Sequence, residues 1–153
     1  LALVAVHVAA GLWCVVTGAV AMLSEKAKGR HPSFGTFYFW GLGVVFVTMS
    51  ALSAMRWAED YVLFILGVLA FGSAVLGRRS APSRSIGRIR IHVIAMGASY
   101  ILMLTAFYVD NGKNLPLWRN LPYIAYWIIP AAVGIPIMIR AFRHHPLLRK
   151  APS

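Results

Sequence analysis

Carboxylates are scarce in this chain. Only 4 Asp and Glu residues accompany 15 Lys and Arg in 153 residues. None of the four, Glu25, Glu59, Asp60 and Asp110, falls inside a long apolar run. A proton-driven antiporter usually works through an acid within the membrane, so that class loses weight. Cysteine is scarcer still. Cys14 stands alone, which excludes an intrachain disulfide and any metal site built from cysteine only. The paired His/Glu spacing of HExxH, the CxxC pair, the phosphate-cradling P-loop and the GxSxG elbow are all missing. Hydrolases of the familiar kinds and catalytic zinc are thereby set aside. No linker is long enough to hold a second domain, so the chain reads as a single domain.

What is abundant is apolar surface. Hydrophobic residues make up 59% of the chain and charged ones 12%, with a mean hydropathy of +0.71, against roughly 45 to 50% apolar in soluble domains. A span needs ~20 predominantly apolar residues. Five such runs lie near residues 1–23, 34–55, 61–77, 88–109 and 121–139. They predict an all-α integral membrane protein, a bundle of five transmembrane helices with a basic tail over 140–153. The third run is the shortest, and Gly77 with the Arg78-Arg79 pair is expected to end it. The first run is read as a span and not as a cleavable signal. It has no basic leader, it exceeds the ~7–15 residues of a signal core, and no clear small-x-small site follows it.

The basic residues sort by loop. Lys26, Lys28 and Arg30 follow run one; Arg78, Arg79, Arg84, Arg88 and Arg90 flank the junction of runs three and four; Arg140, Arg143, Arg149 and Lys150 follow run five. Only Arg56, Lys113 and Arg119 lie at the opposite ends. By the positive-inside rule the N-terminus is outside, the C-terminus is cytoplasmic, and the location is a bacterial inner membrane. The net charge of +11 is therefore an orientation signal, and its expected partners are anionic lipid headgroups, with nucleic acid excluded. Phe37, Tyr38 and Trp40 near one boundary, and Trp57, Tyr61, Tyr108, Trp118, Tyr123 and Trp127 near the other, read as interfacial anchors.

Helical spacing gathers small and polar residues on single faces: His7, Gly11, Cys14 and Gly18 on helix one, and Gly67, Ala70, Ala74 and Gly77 on helix three. His92, Met96, Ser99 and Met103 share a face of helix four, with Tyr100 beside them. Such faces let membrane helices approach closely and should point inward. Pro130 and Pro136 free the carbonyls of Tyr126 and Ala132 and predict a kink in helix five. GAVAML before Gly29-Arg30 is echoed by GSAVLG before Gly87-Arg88, as a duplicated two-helix unit would produce.

The remaining chemistry lies in histidine. His144 and His145 belong to the basic tail and read as solvated. An ionisable side chain inside a membrane run is a functional hypothesis by default, although a neutral imidazole also serves as an interhelical hydrogen-bonding group. His7 lies ~24 Å from the inner end of its helix and His92 only ~6 Å from the same boundary, at 1.5 Å per residue. The difference of roughly 18 Å prevents them from sharing one iron. His31, in the GRHPSFG that opens helix two, is the natural companion of His92. That inner pair, with Arg30, Arg88 and Arg90 close by, is a candidate site for haem b with its propionates on the arginines, for a quinone headgroup or for a metal. His7 has only Glu59, Asp60 and Asp110 as expected polar company on its side.

His7 in helix one, KGRH with a following Gly35 at the start of helix two, and H-x-x-x-M-G-x-S-Y in helix four together give a pattern. It resembles a family of small bacterial multi-pass membrane proteins catalogued as a domain of unknown function. The resemblance covers most of the chain and singles out His7, Gly29, His31, Gly35, His92, Ser99 and Tyr100. It implies a fold and no activity. The leading expectation is a haem- or quinone-linked membrane redox protein with His31 and His92 as ligands. The alternatives are a carrier or sensor whose cavity is lined by His7, Cys14, His92, Met96, Ser99 and Tyr100, which predicts a homo-oligomer, and an accessory subunit of a larger membrane complex.

Overall fold

A computed structural model describes residues 1–25, 29–82 and 85–143. Lys26, Lys28, Arg84, His144, His145, Arg149 and Lys150 lie outside them. Among the described residues there is no strand. The elements are α1 (Ala2–Leu23), α2 (Arg30–Met55), α3 (Trp57–Ser80), α4 (Ile86–Asn111), a 3-10 turn η1 (Gly112–Asn114) and α5 (Tyr123–Arg143). All five helices are long and apolar enough to cross a membrane. The shortest has 21 residues, about 31 Å at 1.5 Å per residue, against a hydrocarbon core of about 30 Å.

The third helix exceeds its expected span at both ends. Trp57–Asp60 form its first turn and Arg78–Ser80 its last. Glu59 and Asp60 sit where the helix dipole is positive, and Arg78 and Arg79 where it is negative, so the charges expected to bound the helix instead extend it. A single residue, Arg56, joins it to α2, with an ion pair from Arg56 to Glu59 across the corner. Gly77 does not end α3. It is buried within the last turn, with the Met96 Cγ and Sδ atoms of α4 only 2.7 and 2.8 Å from where a β-carbon would stand. On α5, Pro130 and Pro136 lie within one continuous helix.

The described residues fall into two compact units, Leu1–Phe64 and Ile65–Arg143. In the first, α1 and α2 run antiparallel along their length, with early α1 beside late α2 (His7 with Thr48) and late α1 beside early α2 (Ala21 with His31). In the second, α4 and α5 do the same, Gly97 meeting Met138, Ile101 meeting Gly134 and Gly112 meeting the Tyr126 ring. The C-terminal end of α3 touches α4 at Gly77.

Burial is inverted relative to a water-soluble protein. The best-buried side chains include Cys14, Thr17, Ser53, Ser99 and Ala74, while Val47, Trp40, Leu12 and Val16 are more than half exposed. In lipid, apolar groups gain nothing by burial, and small residues allow close van der Waals approach between helices. The inward hydroxyls are satisfied by the carbonyls of their own helices: Thr17 donates to Trp13, Ser50 to Phe46, Ser80 to Leu76 and Thr105 to Ile101. No buried side-chain polar atom among the described residues lacks a partner, as a medium without water requires.

Candidate functional site

His31 stands in the first turn of α2, after Gly29 has turned the chain with φ 121° and ψ −121°, a conformation that residues with a β-carbon rarely adopt. Its Nδ1 lies 2.7 Å from the carbonyl oxygen of Ala21. Ala21 is in the last turn of α1. A carbonyl only accepts, so Nδ1–H is the donor, and in the neutral ring the lone pair lies at Nε2. Arg30, next to it in the chain, is exposed.

The second hairpin repeats the arrangement. His92 of α4 places Nδ1 at 2.8 Å from the carbonyl oxygen of Gly77 in the last turn of α3. The neighbouring Ala81 N–H bonds to Arg78 instead. This ring too is held as the Nδ1–H tautomer with its lone pair at Nε2. The burial pattern matches in register: Cys14, Gly18 and Ala21 on α1 correspond in spacing to Ala70, Ala74 and Gly77 on α3, and the last of each triplet supplies the carbonyl. The two histidines differ in depth, the first turn of α2 against the second turn of α4. The structural echo is thus in the latch more than in the sequence around Gly29 and Gly87.

His7 has a partner that the sequence reading missed. Its Nδ1 is 2.9 Å from the Thr48 hydroxyl, which itself donates to the Val44 carbonyl at 2.8 Å. Glu59, expected as company for His7, is instead paired with Arg56. A hydroxyl 41 residues away in sequence, on a neighbouring helix, gives no signal until the register of the hairpin is known.

The other expected site residues are accounted for within their own units. Cys14 is fully buried and directs Sγ to the Tyr38 carbonyl at 3.7 Å, with Gly41 of α2 packed against it. Ser99 is fully buried and donates to the Met96 carbonyl at 2.8 Å. Met96 packs on Gly77, and Tyr100 is half-buried. Arg88 and Arg90 are exposed, with the Arg90 guanidinium 6.0 Å from the centre of the Phe142 ring. Among the described residues no group of three or more His, Cys, Asp and Glu is arranged to hold a metal ion. Tyr38, read as an interfacial anchor, is instead only 2% exposed, and its backbone carbonyl meets the Cys14 Sγ of α1. Phe37, Trp40, Trp57, Tyr61 and Tyr123 are exposed as anchors should be, and Tyr108 and Trp118 stack on each other at 3.9 Å.

No family model matches the chain, and neither does any curated protein or solved structure.

Proposed function

We propose that the protein is a haem- or quinone-linked redox protein of a bacterial inner membrane, with its N-terminus outside, its C-terminus in the cytoplasm and α5 kinked at its prolines. The ligands are the imidazoles at the basic ends of the hairpins, His31 in the first unit and His92 in the second. One observation carries this reading. Each ring is oriented by a hydrogen bond from Nδ1 to a backbone carbonyl, the arrangement that fixes the tautomer and raises the basicity of Nε2 in histidines that ligate metals. Arg30 beside His31, and Arg88 and Arg90 near His92, supply guanidinium donors for propionates or quinone oxygens. The resemblance to small multi-pass membrane proteins of unknown function rests on these same histidines and supports the reading no further than the fold.

Titration of the purified, detergent-solubilised protein with haem b is the test, with a ubiquinone analogue in a parallel titration. The expected result is a Soret band that saturates with added haem, or saturable quinone binding. His31→Gln and His92→Gln are each expected to weaken that binding at least about tenfold, since even outer partners of a ligand matter to that degree. A protein that takes up neither ligand, or variants that bind as the parent does, would overturn the reading.

The reading of an accessory subunit or homo-oligomer has its own support. Gly11, Gly35 and Gly72 have nothing within 4 Å of where a β-carbon would stand, leaving small, open places on three helices where another helix can approach. The carrier reading gains less, because Cys14 and Ser99 turn their polar atoms to backbone carbonyls.

A further inference from the structure

The second unit carries a charge separation that the histidine site, which takes only Arg88 and Arg90 of it, leaves largely unused. Arg78 and Arg79 lie in the last turn of α3, Arg88 and Arg90 near the start of α4, and Arg140 and Arg143 in the last turn of α5. The His92–Gly77 hydrogen bond ties the α3 end to the α4 end. The Arg90–Phe142 contact ties the α4 end to the α5 end. All six arginines therefore share one end of the unit, and all six are exposed. The single carboxylate between residues 65 and 143 is Asp110, twenty residues further along α4 than Arg90 and so ~30 Å away.

Directly below them the surface is apolar. Leu76, Ile91, Ile94, Ile137 and Ile139, one or two turns into the same helices, are each between 42% and 53% exposed. A soluble polyanion would use the charges and make no use of the isoleucines. A phospholipid uses both, with its phosphate on the guanidinium groups and its acyl chains along the collar. Arg90 is held across the α4–α5 seam by the Phe142 ring, which reduces the freedom lost when its planar donors meet a phosphate.

We infer that the basic end of α3, α4 and α5 is a binding surface for anionic phospholipid, formed chiefly by Arg88, Arg90, Arg140 and Arg143 over the isoleucine collar. It shares Arg88 and Arg90 with the proposed histidine site, but Arg140, Arg143 and the collar lie outside that site, and the surface needs no haem or quinone to form. The surface selects headgroup charge and requires acyl chains.

The test uses the whole chain purified in a neutral detergent, with its thermal unfolding followed as lipid is added. Phosphatidylglycerol is expected to raise the midpoint in a saturable way, while phosphatidylcholine, sodium phosphate and polyglutamate leave it unchanged. Arg90→Gln and Arg140→Gln are each expected to weaken the phosphatidylglycerol effect about fivefold, the contribution of one basic residue near an anionic surface. Each leaves the remaining basic residues to orient the chain. Arg119→Gln, on the loop between α4 and α5 at the other end, is expected to change nothing. Equal stabilisation by phosphatidylcholine would overturn the inference, as would stabilisation by phosphate or polyglutamate alone. An unchanged response in both Arg90→Gln and Arg140→Gln would do the same.

Discussion

At the scale of single residues, the histidine latches explain why the chain turns where it does. A carbonyl in the last turn of a helix has no backbone donor, and in a medium without water that deficit is costly. His31 and His92 each bring a donor to such a carbonyl across a basic-end turn, so an imidazole that looks foreign to an apolar run bonds to the backbone of its neighbour. Reaching Ala21 requires the chain to re-enter α2 sharply, and Gly29 makes that turn at φ 121°. Gly29→Ala is therefore expected to destabilise the protein by about 1–3 kcal/mol, the range for a residue held in a sparsely populated backbone region, although there is open space for the added methyl group. Gly72→Ala, with equally open space but a helical backbone, is expected to be neutral or to stabilise by up to about 1 kcal/mol. Unfolding of the two variants by SDS in mixed micelles separates these outcomes. A Gly29→Ala protein as stable as the parent would mean that the turn is not constrained.

At the scale of elements, the α4–α5 pair shows how a membrane hairpin is fixed by fit. Gly112 and Gly97 both lie against bulky side chains of α5, but the two neighbours differ in how far they can give. A β-carbon on Gly112 would stand 2.6 Å from the Tyr126 ring, which is 1% exposed and anchored by its hydroxyl to the Trp118 carbonyl at 3.1 Å. A β-carbon on Gly97 would stand 2.7 Å from the Met138 sulfur, the flexible end of an unbranched chain. Gly112→Ala is expected to cost about 1–3 kcal/mol as overpacking and Gly97→Ala clearly less, read from the same SDS unfolding curves; the reverse order would show that Tyr126 is not held. Much of this level was legible beforehand. The five runs, the inward small faces of α1 and α3, and the face of α4 carrying Ser99 and Met103 follow from hydropathy and period. The ends of α3 did not, because Glu59 and Arg78 read as loop charges when considered by sign alone and as helix-stabilising charges once the dipole is included. The partners of His7, His31 and His92 were also out of reach. Two are backbone carbonyls, which every residue possesses, and the third is a threonine whose alignment with His7 depends on the α1–α2 register.

At the scale of the whole molecule, the decisive property is the distribution of charge along the chain. Twelve of the fifteen Lys and Arg residues fall at the junctions after α1, after α3 and after α5, and three of the four acids fall at the other two junctions. The translocation bias depends on this basic asymmetry close to the spans, and the chain carries it four to one. Green fluorescent protein fused after Ser153 is therefore expected to fluoresce, and alkaline phosphatase fused at the same place to be inactive. Phosphatase fused after Lys113 is expected to be active. The origin of the bias can be examined in the same assay. Replacing Arg78, Arg79, Arg88 and Arg90 together by Gln removes four basic residues from one junction, and a measurable fraction of inverted chains is then expected. If the single orientation survives that change, the first and last junctions alone set the topology. If the parent protein itself shows an active phosphatase after Ser153, then the basic ends face outward, and the histidine site proposed for the cytoplasmic side has to be placed on the other side of the membrane.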